Sequence, residues 1–477
     1  MTHEEGNYTL VVSFIGYYEQ RFSLNLNKDY RINVNLISKA IEIQTAIVTA
    51  DRKDDNLQST TMGKTEMDIE QIKQLPAFMG EVDVLKAIQL LPGVQSAGEG
   101  NSGFYVRGGG PDQNLLLLDE AVVYNASHLF GFFSVFNSDA IKNVSLTKGG
   151  MPANYGGRLA SVVDISMKDG NSKEFHCTGG LGPIASRFTV EGPIKKDTCS
   201  FIISARRTFI DLFMRPPFVS KSSAAYGNTY YFYDLNTKIH YRFSDRDHLY
   251  LSGYFGRDVF KFKSPESDFS ANIPWGNATG TLRWNHLFSD KLFVNTSAIF
   301  TDYKFEFGAG QEEFDFSLKS GVQDWNGKLD FSFFPNVAHS LKFGANYIFH
   351  TFTPSTAYAR SGDVVFDLGT PLKLKAHEAA LYINDEWTIS DKFSVNGGLR
   401  GSFFEHVGPF QRYSTNPVSG LVNDTTVYSK GQKVALYMHV EPRISMRYEI
   451  NRSTSVKAAY TQNYQYVNMA SIDRKST

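Results

Sequence analysis

Residues 230–243 read YYFYDLNTKIHYRF. Tyr231, Tyr233, Leu235, Ile239, Tyr241 and Phe243 occupy one set of alternate positions, and Asp234, Asn236, Lys238, His240 and Arg242 the other. A period of two puts the two sets on opposite faces of a strand. One face is ringed and apolar; the other is ionic along most of its length. The run is also more than twice the usual strand of about five or six residues.

The rhythm persists downstream. In DWNGKLDFSFF (324–334), Trp325, Leu329, Phe331 and Phe333 oppose Asn326, Lys328, Asp330 and Ser332. LKFGANYIF (341–349), FSVNGGLRGSF (393–403) and VEPRISMRYEI (440–450) repeat it. Short turns at FSDRDH (243–248), FSDK (288–291), SDK (390–392) and EINRS (449–453) join successive runs. About twelve strands follow residue 174, with expected long loops near 258–274, 307–320, 353–374 and 405–433.

A soluble sandwich alternates too, one face meeting a core and the other water. These strands are too long for that, and their apolar faces carry rings near the ends, as membrane-interface girdles do. A bilayer accepts β-structure only when no edge is left unpaired, which a closed barrel satisfies. The pattern therefore predicts a transmembrane antiparallel β-barrel, met by outer-membrane lipid.

The bulk composition is consistent with this. Lys plus Arg is 48 against 49 Asp plus Glu, so no charge imbalance points to nucleic acid. Phe (38), Tyr (25) and Gly (39) favour strands and turns. With only Cys177 and Cys199, neither a cysteine zinc site nor a disulfide framework fits; one bridge or two free thiols remain open. No apolar run approaches the roughly 18 residues of a transmembrane helix, and MTHEEGNYTL does not read as a signal peptide.

The first third differs. Residues 8–36 alternate in RFSLNLN and RINVNL around a turn at NKDY, a pattern too short to bury a core alone. IEIQTAIVTADRKDDNLQSTT (41–61) runs from β-branched to polar. It reads either as an edge strand plus linker or as an extended peptide that pairs with a partner by strand addition. Residues 62–168 are mixed α/β. Val82, Leu85 and Ile88 share a helical stripe closed by Pro92-Gly93, and Leu129, Phe132, Phe133 and Phe136 in HLFGFFSVFN (128–137) have helix-like offsets. Gly98, Gly100 and Gly103 form GxGxxG, but a strand follows rather than a helix, so a nucleotide loop is not expected.

Three landmarks stand in order: FYVRGG (104–109), LLLLDEAVVYN (115–125) and SLTKGGMPANYGGRLASVVDI (145–165). Over about 110 residues they resemble the plug domain of TonB-dependent outer-membrane receptors, and the strands that follow fit its barrel. The resemblance implies a plug motif at Val106, Arg107, Gly108 and Gly109, at Asp119, and at Gly149, Gly150, Tyr155, Gly156, Gly157 and Arg158. It implies a TonB box at Ile43, Gln44, Thr45, Ala46, Ile47, Val48 and Thr49, the peptide offered to a TonB-like periplasmic energy transducer. Residues 1–40 then resemble the end of a carboxypeptidase-regulatory-like β-domain, a remnant β-sandwich. The implied order is that remnant, box and linker at 41–61, plug at 62–170 and the N-terminal part of a barrel at 171–477. Full-length members have about 22 strands, so the chain is expected to be a fragment cut at both ends.

Arg107 and Arg158 are expected in ion pairs, with acidic lumen residues or with Asp119, Glu120 and Asp164. The implied function is energised import of a scarce, bulky solute, a siderophore-type chelate or other nutrient, across the outer membrane of a Gram-negative bacterium. A receptor that binds without transporting is the alternative. A barrel enzyme would need a grouped constellation; His240, His286, His350 and His439 are scattered and read as ordinary lumen residues. No catalytic residue, metal ligand or cofactor is assigned.

Overall fold

The computed structural model describes residues 6–12, 20–27, 32, 34 and 59–467, apart from 78, 99–100, 216, 221–222, 224–225, 265–266, 368–372, 417–420 and 452. Gly6–Val12 and Gln20–Leu26 form an antiparallel hairpin. The expected turn at NKDY and residues 43–49 lie outside the described residues.

An α/β unit follows, built on a five-stranded sheet. Its strands are Lys64–Asp68, Ile141–Lys148, Ser161–Met167, Asn114–Leu118 and Ala121–Val122, in that spatial order. Ser161–Met167 pairs in parallel with Asn114–Leu118, and the other pairings are antiparallel. Both faces of Asn114–Leu118 are covered, which explains four consecutive leucines: Leu118 joins the main core, while Leu115 and Leu117 pack with Met151 and Val162.

Helices Ile69–Lys73 and Val84–Gln89 close the core. Leu85 and Ile88 are buried and Val82 packs beside them, as the stripe predicts. Asp83 caps the second helix, accepting from the Leu85 amide at 2.9 Å and the Lys86 amide at 3.1 Å. The helix-like offsets in 128–137 do not make an α-helix. Short strands Ser127–His128 and Phe133–Ser134 flank a single 3-10 turn, because Leu129, Phe130 and Gly131 all take positive φ (50°, 52° and 108°).

From His176 onward most strands enter one antiparallel sheet; Phe410–Thr415 and Val422–Tyr428 form a separate hairpin, and Ile210–Phe213 is a short helix. Thirteen strands follow in order, with short Val364–Asp367 attached to one side, against the twelve or so expected. The end strands, His176–Leu181 and Thr454–Thr461, are not paired with each other, so the sheet is an unclosed wall. Cys177 is exposed and Cys199 buried, and both are free.

The wall strands are longer than the alternation indicated. Phe314–Asn336 and His339–Ser361 each run 23 residues, whereas a tilted strand needs about 9–11 to cross a bilayer. The expected loops at 258–274 and 307–320 are mostly strand: Asp247–Lys263 meets Ser270–Ser289, and Leu292–Gln311 meets Phe314–Asn336. What changes there is polarity. Nearer the short turns, Leu251, Phe255, Leu282 and Trp284 face outward, and Arg283, Asn285 and Thr281 are buried inward. Beyond Asp258, Lys261 and Lys263 face outward while Phe260 and Phe262 share the inward face. Leu292–Gln311 makes the same exchange, with Lys304 exposed and Phe305 and Phe307 inward.

Candidate functional site

The α/β unit is seated against the inner face of the wall through charged groups. His128 ends a two-residue strand, and its side chain is almost wholly buried. Nδ1 lies 2.5 Å from Asp258 and Nε2 2.7 Å from Asp234, so both ring nitrogens donate and the imidazole is an imidazolium. Burial opposes that charge, but the carboxylates of Asp234 and Asp258 outweigh it and raise the pKa from 6.5 to about 9. The ring stacks on Phe232 at 4.1 Å.

Arg206 extends the network. Its Nε donates to Asp234 at 2.8 Å and a terminal nitrogen to the Ser134 carbonyl at 2.8 Å, with Glu81 3.5 Å away. Tyr230 and Tyr254 donate to Asp258 and Asp234 at 2.5 and 3.0 Å. A parallel arrangement holds the next loop: Tyr124 donates to Asp324, and His350 lies 2.7 Å from Asp324 and 3.3 Å from Glu378.

Lower down, Asp119 accepts from the Met167 amide at 3.0 Å and meets Lys238 at 3.0 Å. Lys238 also pairs with Asp169 at 2.8 Å; despite burial this lysine holds the Asp169 carboxyl down at about 2. Glu120 accepts from Asn295 at 2.7 Å and lies 3.8 Å from Arg283. Burial would raise its pKa, but Lys328 and Arg283 bring it below the ordinary value.

The turn at 149–158 is held differently. Arg443 donates to the Pro152 and Tyr155 carbonyls, both at 2.6 Å, and is itself paired with Glu441 at 2.7 Å. Tyr155 donates to Asp164 at 2.9 Å. Burial pushes both of these groups up, keeping the phenol protonated. Gly156 is glycine for contact, since a Cβ there would stand 2.4 Å from Arg400 Nε. Gly149, Gly150 and Gly157 have φ of 72°, 60° and 76°.

The FYVRGG segment is structural. Val106 is buried in the core, and Gly108 has φ of 87°. A Cβ on Gly109 would stand 2.4 Å from Ala160. Among the described residues neither Arg107 nor Arg158 comes within the 4.0 Å of a carboxylate that the expected ion pairs require. Arg158 does lie near enough to the wall residue Glu378 to interact with its charge. Arg107, at φ 50°, spreads its guanidinium over Gly149, filling space a side chain would take. Arg158 donates to the Gly157 carbonyl at 2.8 Å. Asp119 and Glu120 pair with wall cations instead.

The histidines divide. His240 lies 2.9 Å from His248, and His350 bridges the two wall carboxylates. His286 shares the outward face of Leu282 and Trp284 and bonds Asp247 at 2.6 Å, so it is not a lumen residue. Among the described residues no group of three His, Cys, Asp or Glu is placed to hold a metal ion. His128, Arg206, Lys238 and Arg443 are not assigned roles from sequence; Lys238 and Arg443 carry a signal, their places on the ionic faces of 230–243 and 440–450.

Two family models match. Residues 56–163 match the TonB-dependent Receptor Plug Domain, and residues 216–472 match the TonB dependent receptor-like β-barrel. The chain belongs to the TonB-dependent receptor family. Solved structures share the fold at low identity. The copper transporter OprC superposes with a TM-score of 0.63 at 10% identity over 84% of this chain and 64% of its own. The Serratia marcescens hemophore receptor HasR, solved with its hemophore HasA and heme, gives 0.60 at 11% over 87% and 65%. The ferric-catecholate import receptor Fiu from E. coli K12 gives 0.57 at 14% over 85% and 70%. This receptor chain thus spans less than two thirds of the length of OprC and HasR. No curated protein matches it by sequence. The family is one of Gram-negative outer-membrane receptors, and the α/β unit is the plug.

Proposed function

We propose that this chain forms the plug and part of the wall of an importer for a scarce, bulky solute, a siderophore-type chelate or other nutrient, driven by a TonB-like periplasmic transducer that pairs with residues 43–49. Short turns face the periplasm and the long strand extensions face outward, as in outer-membrane barrels generally. Solute arrives at the upper lumen; force at the box then shifts the plug.

The observation that carries this reading is the chemistry of the seat. The plug has its own apolar core, yet its lower contacts with the wall are ion pairs and hydrogen bonds: Asp119–Lys238, Glu120–Arg283 and Arg443 on the 152–155 turn. Buried ion pairs nearly break even against their desolvation, so such a seat positions a plug without welding it in place.

The test is deletion of residues 43–49. Uptake of whichever iron source or glycan supports growth is expected to cease, while the purified protein still binds that solute. Uptake that survives the deletion would sink the box assignment; binding with no uptake in either form would favour a receptor that does not transport.

A further inference from the structure

Above the seat, the lumen wall stops being polar. Tyr230, Phe260, Ile273, Trp275 and Phe305 gather with Phe133 of the plug in one apolar cluster. Phe262 and Phe307 continue the same face toward the strand tips, and Phe307 meets Phe316 at 6.1 Å. From Asp247–Lys263 across to Phe314–Asn336, no inward position beyond the level of Asp258 carries a charge; Lys261, Lys263, Lys304 and Lys319 all take outward positions.

The plug raises a ring into this space. Phe130 has φ of 52° directly after Leu129 at 50°, a left-handed pair that ordinary residues adopt at a cost. The conformation leaves Phe130 57% exposed at the plug apex, with its ring 4.8 Å from Trp275 and 5.6 Å from Phe260. A ring held open to solvent at the expense of backbone strain is poorly explained by packing alone.

We propose that the upper lumen selects an uncharged solute with a flat aromatic or apolar face, which stacks on Phe130 and against Phe260 and Phe262. Aromatic faces reward offset or edge contact with another ring. An anionic chelate would meet no cation among these inward positions. The proposal rests on the upper lumen being the solute's entrance and narrows what enters it.

The test uses the purified full chain in micelles and three probes by equilibrium dialysis: 2-naphthyl β-D-glucoside, methyl β-D-glucoside and ferric citrate. The naphthyl compound is expected to bind about tenfold or more tighter than the other two. Phe130→Ser and Phe262→Ser should each weaken it by about tenfold, and Leu251→Ser, on the outward face, should not, which separates the site from partition into the micelle. Trp275 is the one inward-facing tryptophan among the four, so its emission should shift with the naphthyl probe and not with methyl glucoside. Ferric citrate binding as tightly as the naphthyl compound, or unchanged affinity in both serine variants, would overturn the proposal. These readouts involve no transducer, so they stand or fall apart from the deletion of 43–49.

Discussion

Along Asp247–Lys263, the part nearer the short turn directs Leu249, Leu251 and Phe255 outward and His248, Ser252 and Asp258 inward. Six residues on, Lys261 and Lys263 face outward and Phe260 and Phe262 inward. One strand, in unbroken register with its neighbours, inverts its polarity. The lower part has lipid outside and, within, a buried ionic seat against the plug. The upper part has water outside and encloses apolar rings. The difference teaches that side-chain alternation reports which solvent touches which face, and that this exchange marks where the bilayer ends.

The comparison can be broken first at the ionic seat. Arg206→Met takes from buried Asp234 and Glu81 one of two cations each, His128 and Arg187 remaining, and should cost about 3 kcal/mol, the lower end for breaking a buried pair; denaturant unfolding of the purified protein measures it. An effect under about 1 kcal/mol would mean the lower lumen is far wetter than its burial implies.

His128 gives a pH test of the same region. Its pKa is raised in the fold, from 6.5 to about 9, so its stabilisation is fully present below pH 6.5 and is lost as pH rises through about 9. The total is roughly 3 kcal/mol. Unfolding midpoints of the native protein should fall over that window relative to His128→Gln, which lacks the titrating group. Parallel curves for the two proteins would remove His128 from the seat.

The bilayer boundary is sharpened by moving charge along the outer face. Leu251→Arg, 52% exposed at the lower level, should cost about 2–4 kcal/mol in a lipid bilayer. Lys261→Leu, beyond the exchange, should stay within about 0.5 kcal/mol. Similar costs at both positions would erase the boundary. Smallest is the helix cap: Asp83→Ala should cost about 1 kcal/mol, somewhat more if the Ser134 amide, which donates to Asp83 at 2.8 Å, finds no other acceptor.

The wall and the plug landmarks were legible because each is local. A two-residue period shows in ten residues, and the three plug landmarks stand in order within about 110 residues. The upper strands were misread as loops for a physical reason: past residue 258 the rings move to the other parity, and a template seeking rings outward sees the pattern fail. The seat was hidden by distance, since His128 acquires its meaning only from Asp234 and Asp258, more than a hundred residues later. The arginines misled because charge invites a partner, whereas Arg107 acts through the bulk of its guanidinium above Gly149.

Among the described residues, the strand Lys64–Asp68 stands at the margin of the plug sheet, paired on one side only, to Ile141–Lys148. It is also, among those residues, the first plug strand reached from the amino terminus. Tension applied ahead of residue 59 and directed along that strand would load its five paired residues together in shear, rather than opening them one by one like a zip. A joint of that geometry resists small tugs and yields abruptly, and the other four strands of the sheet keep their own pairings without it.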